Sequence, residues 1–486
     1  MPRFIVGHAT HPEWTGAFAL VAAQLDAQMA APGANGILGA AAADLPSAGR
    51  VGRAAPAAPA ADPAQAAHPS PTLGLVYITD AYAAAAEPLL AALRQRWPGV
   101  AFVGTVGVGV CAGGVEYFDE PALVVMLTAL PREQFQVFSG TAGLRAAVGT
   151  RSAPRRAATA LVHVDPATPE LPELLGELAA RTESGYLFGG VSASRQRHVQ
   201  IAEGVFQGGL SGVAFGAGVS VISRVTQGCT PLGPARRVTA CDGSVVLALD
   251  GLPALPQLLG DLHLVRRGGG GSGSGGDTLH PRALREAVPR LRRTLVGLTE
   301  PAAGPRRAEG ALALASALAK GRGNFGEEVR VRHLIGIDPA RQGFAVAETV
   351  HPGMGLSFCE RDAAAARRDL VRMCTEVRDE LETRAEALHP PVRTAAAGST
   401  ADRGAGQAAA GGVAPGPADG PGAALGAIYI SCSGRGGAHF GGPSAELQLV
   451  RHALGDVPLV GFFAAGEIAG RQLYGYTGVL TVFCAE

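Results

Sequence analysis

The strongest constraint in this 486-residue chain is one pattern that occurs twice. Gly74-Leu-Val-Tyr-Ile-Thr79 leads to a helix-forming run, Glu87-Pro-Leu-Leu-Ala-Ala-Leu-Arg94, and returns through Pro98-Gly-Val-Ala-Phe-Val-Gly104. Gly426-Ala-Ile-Tyr-Ile-Ser431 leads to Ala445-Glu-Leu-Gln-Leu-Val-Arg451 and returns through Asp456-Val-Pro-Leu-Val-Gly461. Both read strand, loop, helix, strand, glycine. Such a crossover joins parallel neighbours and lays its helix on the sheet. The pattern predicts an α/β fold: two domains with mixed sheets, partly built from a duplicated βαβ unit.

Two domains also follow from length, because a single core stops growing well before this size. We place the boundary between residues 1–252 and 253–486. Three tracts, 31–71, 266–277 and 393–424, are rich in Ala, Gly and Pro and read as flexible loop insertions. Between them the strand and helix signals are clear. β-branched and aromatic runs fall at 122–128, 134–138, 160–164 and 186–192, and again between 212 and 249. Helices are predicted over 13–29 and 254–263, and another after Asp362 as N-cap. In that last helix Leu370, Cys374, Val377 and Leu381 form one core-facing stripe.

A net charge of zero, with 17% charged residues, leaves no global field to recruit nucleic acid or an anionic membrane. No run of eighteen apolar residues escapes interruption, so no membrane insertion is expected. Seven cysteines without a C-x-x-C pair fit a reducing compartment, and no leader pattern opens the chain, so a cytoplasmic setting is expected.

The chemistry concentrates at two strand ends. One runs into Cys432-Ser-Gly-Arg-Gly-Gly437, the other into Ala464-Ala-Gly-Glu-Ile468. Arg435 could grip a carboxylate by two parallel hydrogen bonds, with Gly434 and Gly436 allowing close backbone approach. It could equally tie the loop to a neighbouring carboxylate. Glu467, beside Gly466, could take an ammonium group or pair with Arg435. Cys432 could be an activated nucleophile or a small buried residue, and no base with its own orienting group is evident. The repeat makes Asp80 and Thr105 the N-terminal counterparts of the Arg435 and Glu467 loops.

No cofactor is expected. Gly104-Thr-Val-Gly107 and Gly109 imitate a dinucleotide fingerprint, but the helix it requires does not follow. No metal is expected either, since a strand would send His8 and His11 to opposite faces.

Several of these segments together resemble the FIST family, whose FIST N and FIST C domains occur in signal-transduction proteins. In the N-terminal half the matching signals are Gly74-Leu-Val-Tyr-Ile78, Val103-Gly-Thr-Val-Gly107 and Leu187-Phe-Gly-Gly-Val-Ser192. In the C-terminal half they are Leu334-Ile-Gly-Ile-Asp338, Phe358-Cys-Glu-Arg-Asp362 with Asp369-Leu370, Cys432-Ser-Gly-Arg-Gly436, and Gly461-Phe-Phe463 with Gly466-Glu-Ile468. The resemblance implies a sensory module for small ligands, with amino acids the suggested class. Relatives are often joined to kinase, chemoreceptor or PAS-type parts. None is seen here, so a separate protein signalling partner is expected. The expected mechanism is closure of a C-terminal pocket, with Arg435 on a carboxylate and Glu467 on an amine. The alternative is a thiol-dependent enzyme using Cys432 on small acyl compounds.

Overall fold

The strand Leu73–Thr79 is buried along its whole length, and its side chains alternate between two apolar clusters. Leu75 and Tyr77 face inward, while Val76 and Ile78 face the helices Trp14–Ala30 and Ala86–Arg96. Its parallel neighbour is Ala101–Gly107, as the crossover requires. This computed structural model describes residues 3–30, 69–140, 143–144, 148–150, 153–264, 290–291, 293–300, 329–388 and 422–485. The predicted insertions 31–71, 266–277 and 393–424 lie outside the described residues, apart from 69–71 and 422–424.

The duplication is present, and a third copy accompanies it. Ala424–Cys432 and Leu459–Ala464 form the second expected parallel pair, with helix Ala445–Leu454 between them. Thr159–Val164 and Leu187–Val191 form another, joined by helix Leu171–Ala180. Each pair is the centre of a six-stranded sheet, and the three sheets have the same plan. On one flank of each pair runs an antiparallel strand, then an edge strand. These are Ala122–Thr128 and Phe4–Thr10 in the first sheet, Leu210–Phe215 and Phe135–Phe138 in the second, and Thr477–Cys484 and Val221–Gln227 in the third.

On the other flank each sheet ends in a hairpin borrowed from a different unit. The strand Ala101–Gly107 runs directly into Gly109–Ala112 and Val115–Phe118, which complete the third sheet. Leu459–Ala464 runs into Gly466–Gly470 and Gln472–Tyr474, which complete the second. The hairpin Gln200–Ala202 and Val205–Phe206, which follows Leu187–Val191, completes the first. The exchange therefore closes into a cycle. The inner faces of all three sheets meet in one cluster that includes Leu75, Tyr77, Leu161, Phe188, Ile428 and Phe462. Helices cover the outer faces, among them Ala363–Leu388 on the third sheet, where Leu370, Cys374 and Val377 are buried as the stripe predicts.

One glycine per unit fixes the equivalence. A Cβ at Gly104 would lie 1.6 Å from the Val76 carbonyl oxygen, at Gly189 1.9 Å from that of Val162, and at Gly461 1.7 Å from that of Tyr429. These are the residues directly opposite them in the parallel pairs. The register corrects the match read by eye in the sequence, which set Tyr77 against Tyr429. Tyr77 instead corresponds to Ile430 and His163, all facing inward, and Tyr429 corresponds to the outward Val76. A shift of one residue exchanges the faces of a strand.

A small antiparallel barrel completes the molecule. Its ring is Arg236–Asp242, Val245–Leu249, Gly343–Val346, Arg330–Asp338, Thr294–Thr299 and Gly355–Arg361, the last pairing back to the first. The short strand Cys229–Pro231 pairs beside Gly355–Arg361. Val246, Leu249, Phe344 and Phe358 fill it with Leu255 and Leu258 of helix Ala254–Asp261, and Arg236 clamps that helix through Asp261 at 2.6 and 2.8 Å. The whole barrel is inserted between the edge strand Val221–Gln227 and the helix Ala363–Leu388 of the third sheet.

Candidate functional site

At the end of strand Ala424–Cys432 the chain turns sharply, with the Arg435 amide donating to the Cys432 carbonyl at 2.8 Å. The turn sends the Arg435 side chain back beneath the loop. Its Nε and Nη2 donate to one oxygen of Glu446 at 2.9 and 2.7 Å. Glu446 stands in the first turn of helix Ala445–Leu454 and also accepts from Tyr429 Oη at 2.7 Å and Ser431 Oγ at 3.0 Å. Arg435 is 1% exposed and Glu446 fully buried. Burial works to lower the guanidinium, but the Glu446 carboxylate outweighs it and holds it above its ordinary value. Arg435 is thus committed to Glu446, the loop-tying alternative, with a partner other than Glu467.

Glu467 lies on the borrowed strand Gly466–Gly470, opposite Gly190. One carboxyl oxygen accepts from the Thr477 amide at 3.2 Å and from Thr477 Oγ1 at 2.8 Å. The other is buried with no N–H or O–H donor, and only the weakly donating Cys432 thiol adjoins this carboxyl. Burial pushes this carboxyl up to about 8, against the opposing pull of Thr477, Arg435 and the adjoining Cys432 thiol. A buried polar atom without a strong donor costs about 1–3 kcal/mol.

The Cys432 thiol sits against Glu467. Burial and the Glu467 carboxylate push it up to about 12, although the amides of Gly434 and Tyr476 point at the sulfur. The corresponding positions in the other units, Thr79 and Asp165, also accept an amide that leads into the returning strand, from Ala122 and Gly208 respectively. The position therefore has a structural role in every unit.

Tyr476 closes the site. It has φ of +62°, where a bulky residue is an outlier, and its counterpart in the second unit is Gly208, at +81°. Its phenol bonds to His333 of the barrel, and the Arg361 guanidinium lies 4.9 Å from its ring centroid. Arg361 also donates to the Gly434 carbonyl. Among the described residues no acidic side chain pairs with Arg361, and both Arg361 and His333 are exposed. Beneath them the thiols of Cys229 and Cys359 adjoin, with that of Cys229 drawn down by its hydrogen bond to Cys359 and by Arg435 and Arg361.

The other predicted residues lie elsewhere or pack. Asp80 accepts from Ser194 Oγ at 2.5 Å and from the Arg195 amide at 3.1 Å, in the loop after strand Leu187–Val191. Thr105 bonds to Ser192 Oγ at 2.6 Å and donates to the Val199 carbonyl at 3.0 Å. By register Thr105 corresponds to Phe462, not to Glu467, which corrects the expected counterpart. Gly436 is held open by the Phe118 ring, 1.9 Å from where a Cβ would be, and Gly466 by Leu473 at 2.9 Å. A Cβ on Gly434 would stand 3.3 Å from the Arg361 guanidinium. Sequence reasoning missed Glu446, Tyr476, Arg361 and His333. For Tyr476 the only local signal is its place between Gly475 and Thr477. A separate cleft of about 190 Å³, lined by Thr159, Tyr186, Ser223, Arg224 and Arg384, lies away from this site. Its hydroxyls bond to one another or to backbone, as in Tyr186 Oη to Ser223 Oγ at 3.0 Å, so it holds no orphan group like that of Glu467.

Fold and site define a three-sheet α/β protein that carries an inserted barrel over a buried, half-satisfied carboxyl. Residues 72–252 match the FIST N domain and residues 287–470 the FIST C domain, so the chain belongs to the FIST family. That family is proposed to supply sensory domains in signalling. An uncharacterized protein of Mycobacterium tuberculosis is 28% identical over 424 residues, covering 85% of this chain and 91% of that one. An uncharacterized protein of Mycobacterium bovis is 28% identical over 426 residues, with the same coverage. No helix among the described residues is long and apolar enough to cross a membrane.

Proposed function

We propose that this FIST protein is a small-ligand sensor in signal transduction, working in the cytoplasm, and that its ligand is an amino-acid-like metabolite. The observation that carries the reading is the buried oxygen of Glu467 that lacks an N–H or O–H donor, beside the Cys432 loop. An ammonium group would supply the missing donor. Arg361, exposed and without an acidic partner among the described residues, is placed to receive the carboxylate in the role first expected of Arg435. Gly434 brings backbone close beside Arg361, whereas the space at Gly436 is taken by Phe118, and a separate protein reads the occupied state. The thiol-enzyme alternative gains nothing from the surroundings of Cys432, where burial and Glu467 hold the proton on sulfur.

The test is calorimetric titration with a panel of amino acids and central metabolites. Binding should weaken at least tenfold in Glu467→Gln and in Arg361→Ala, as expected for losing one charge-assisted contact of about 1.5–3 kcal/mol. Arg435→Ala is a poor probe, because it strands a buried Glu446. Equal affinity in wild type and both variants would overturn the site, and silence across the panel would overturn the ligand class.

A further inference from the structure

We infer that the barrel is a hinged body that swings against the three-sheet core, with Tyr476 as the latch through which an occupied Glu467 changes its position. The second clause rests on the sensory reading above; the hinge does not.

The first observation is the connection. Among the described residues the chain passes between core and barrel only at Gly228 and Asp362, and these are hydrogen-bonded to each other, Asp362 amide to Gly228 carbonyl at 3.0 Å. Two crossings side by side make a hinge, not two separated anchors. The second observation is the division of apolar packing. The cluster that fills the barrel contains no core residue, and the clusters of the three sheets contain no barrel residue. One small cluster bridges them: Leu295, Val331, Cys359 and Cys229 of the barrel with Tyr476 of the core.

Away from Tyr476, the hydrogen bonds across the seam among the described residues are single ones, with Thr230 Oγ1 donating to Asp362 at 3.2 Å beside the hinge. Gln227 Nε2 donates to the Val329 carbonyl at 2.7 Å, Arg332 Nη2 to the Leu473 carbonyl at 2.9 Å, and Arg361 to the Gly434 carbonyl. Water can replace bonds of this kind on both sides, so they hold the barrel in place without fixing it.

The latch and the carboxyl are coupled by the backbone. Tyr476 stacks under Arg361 and bonds to His333, while its neighbour Thr477 holds the satisfied oxygen of Glu467. Glu467 is fully buried, so a ligand reaches it only when its surroundings give way, and Tyr476 is the residue beside it that the barrel holds. A ligand that binds the open and closed arrangements unequally then shifts their populations.

The experiment places nitroxides at residues 20 and 252 through a non-canonical amino acid, which leaves the native cysteines untouched. Leu20 on the core is 49% exposed and Leu252 on the barrel 60%. Wild type should give one narrow distance distribution. Tyr476→Gly, which keeps the left-handed backbone, and separately Arg332→Ala should broaden it, with near-UV circular dichroism reporting that both variants remain folded. Distributions as narrow as wild type in both variants would overturn the hinge. With L-alanine, L-glutamate and L-lysine as probes, a probe that binds by calorimetry should also shift the wild-type distance. Binding with no shift would overturn the latch and leave the sensory reading standing. A barrel loosened by Tyr476→Gly with no probe bound would support the hinge and count against the sensory reading.

Discussion

Glu467 holds a proton that the unfolded chain would release. Its ordinary value is 4.5 and its folded value about 8, chiefly through burial. The folded state therefore binds the proton more tightly. The stabilisation is complete below about pH 4.5 and is lost as pH rises through about 8. Glu467→Gln should remove roughly 5 kcal/mol of pH-dependent stability at most across that window, read as a flatter plot of thermal midpoint against pH. Glu116, raised to about 7 by burial and by Glu446, keeps part of the slope in the variant. His163, lowered to about 3 by burial, acts oppositely, losing stability as pH falls from 6.5. The difference between variant and wild type isolates Glu467. The same proton bears on ligand binding: an ammonium on Glu467 would displace it, so affinity should rise between pH 6 and about 8.

Among the elements, the parallel pair is the unit of construction, and one glycine in each pair is its most demanding position. Gly104→Ala, Gly189→Ala or Gly461→Ala would drive a methyl into the facing carbonyl. Each should cost at least ~3 kcal/mol, the upper end of ordinary overpacking, measured as a lowered urea midpoint. Much of this architecture was legible in the residues. Strand runs such as Ala122–Thr128 appear where β-branched residues cluster, and Asp362 caps its helix through the Ala364 and Ala365 amides at 2.8 and 3.2 Å. The third parallel pair was hidden because Thr159–Val164 carries a buried histidine where the other two have Tyr77 and Ile430. The site was legible in part. The glycine loops and Glu467 announce themselves as strand ends, but the partner of Arg435 lies 11 residues on, in a helix that reads as packing. Arg361 and His333 arrive from the barrel, over 70 residues distant, and no local pattern foretells that meeting.

For the whole molecule, the barrel is an addition to a finished plan. The three sheets close their cycle without it, and its two ends are hydrogen-bonded neighbours. Replacing residues 229–361 by a short glycine link should leave a folded core that melts cooperatively by near-UV circular dichroism. A core that fails to melt cooperatively would show that the barrel is integral to the fold. The FIST N and FIST C matches describe the same chain differently: residues from both matched segments build the barrel and the third sheet.

The exchanged hairpins have a further consequence for synthesis. Val110 finds its place opposite Phe462, which leaves the ribosome far later. At about 5–20 residues per second the wait is roughly 20 to 70 seconds. Through that interval the hairpin's open edge has no partner, although Val110 and Ala112 can already pack on the first sheet. A nascent chain of this design depends on being shielded until its last strands emerge, and its yield in the cell should follow the supply of chaperones more closely than the stability of the finished protein.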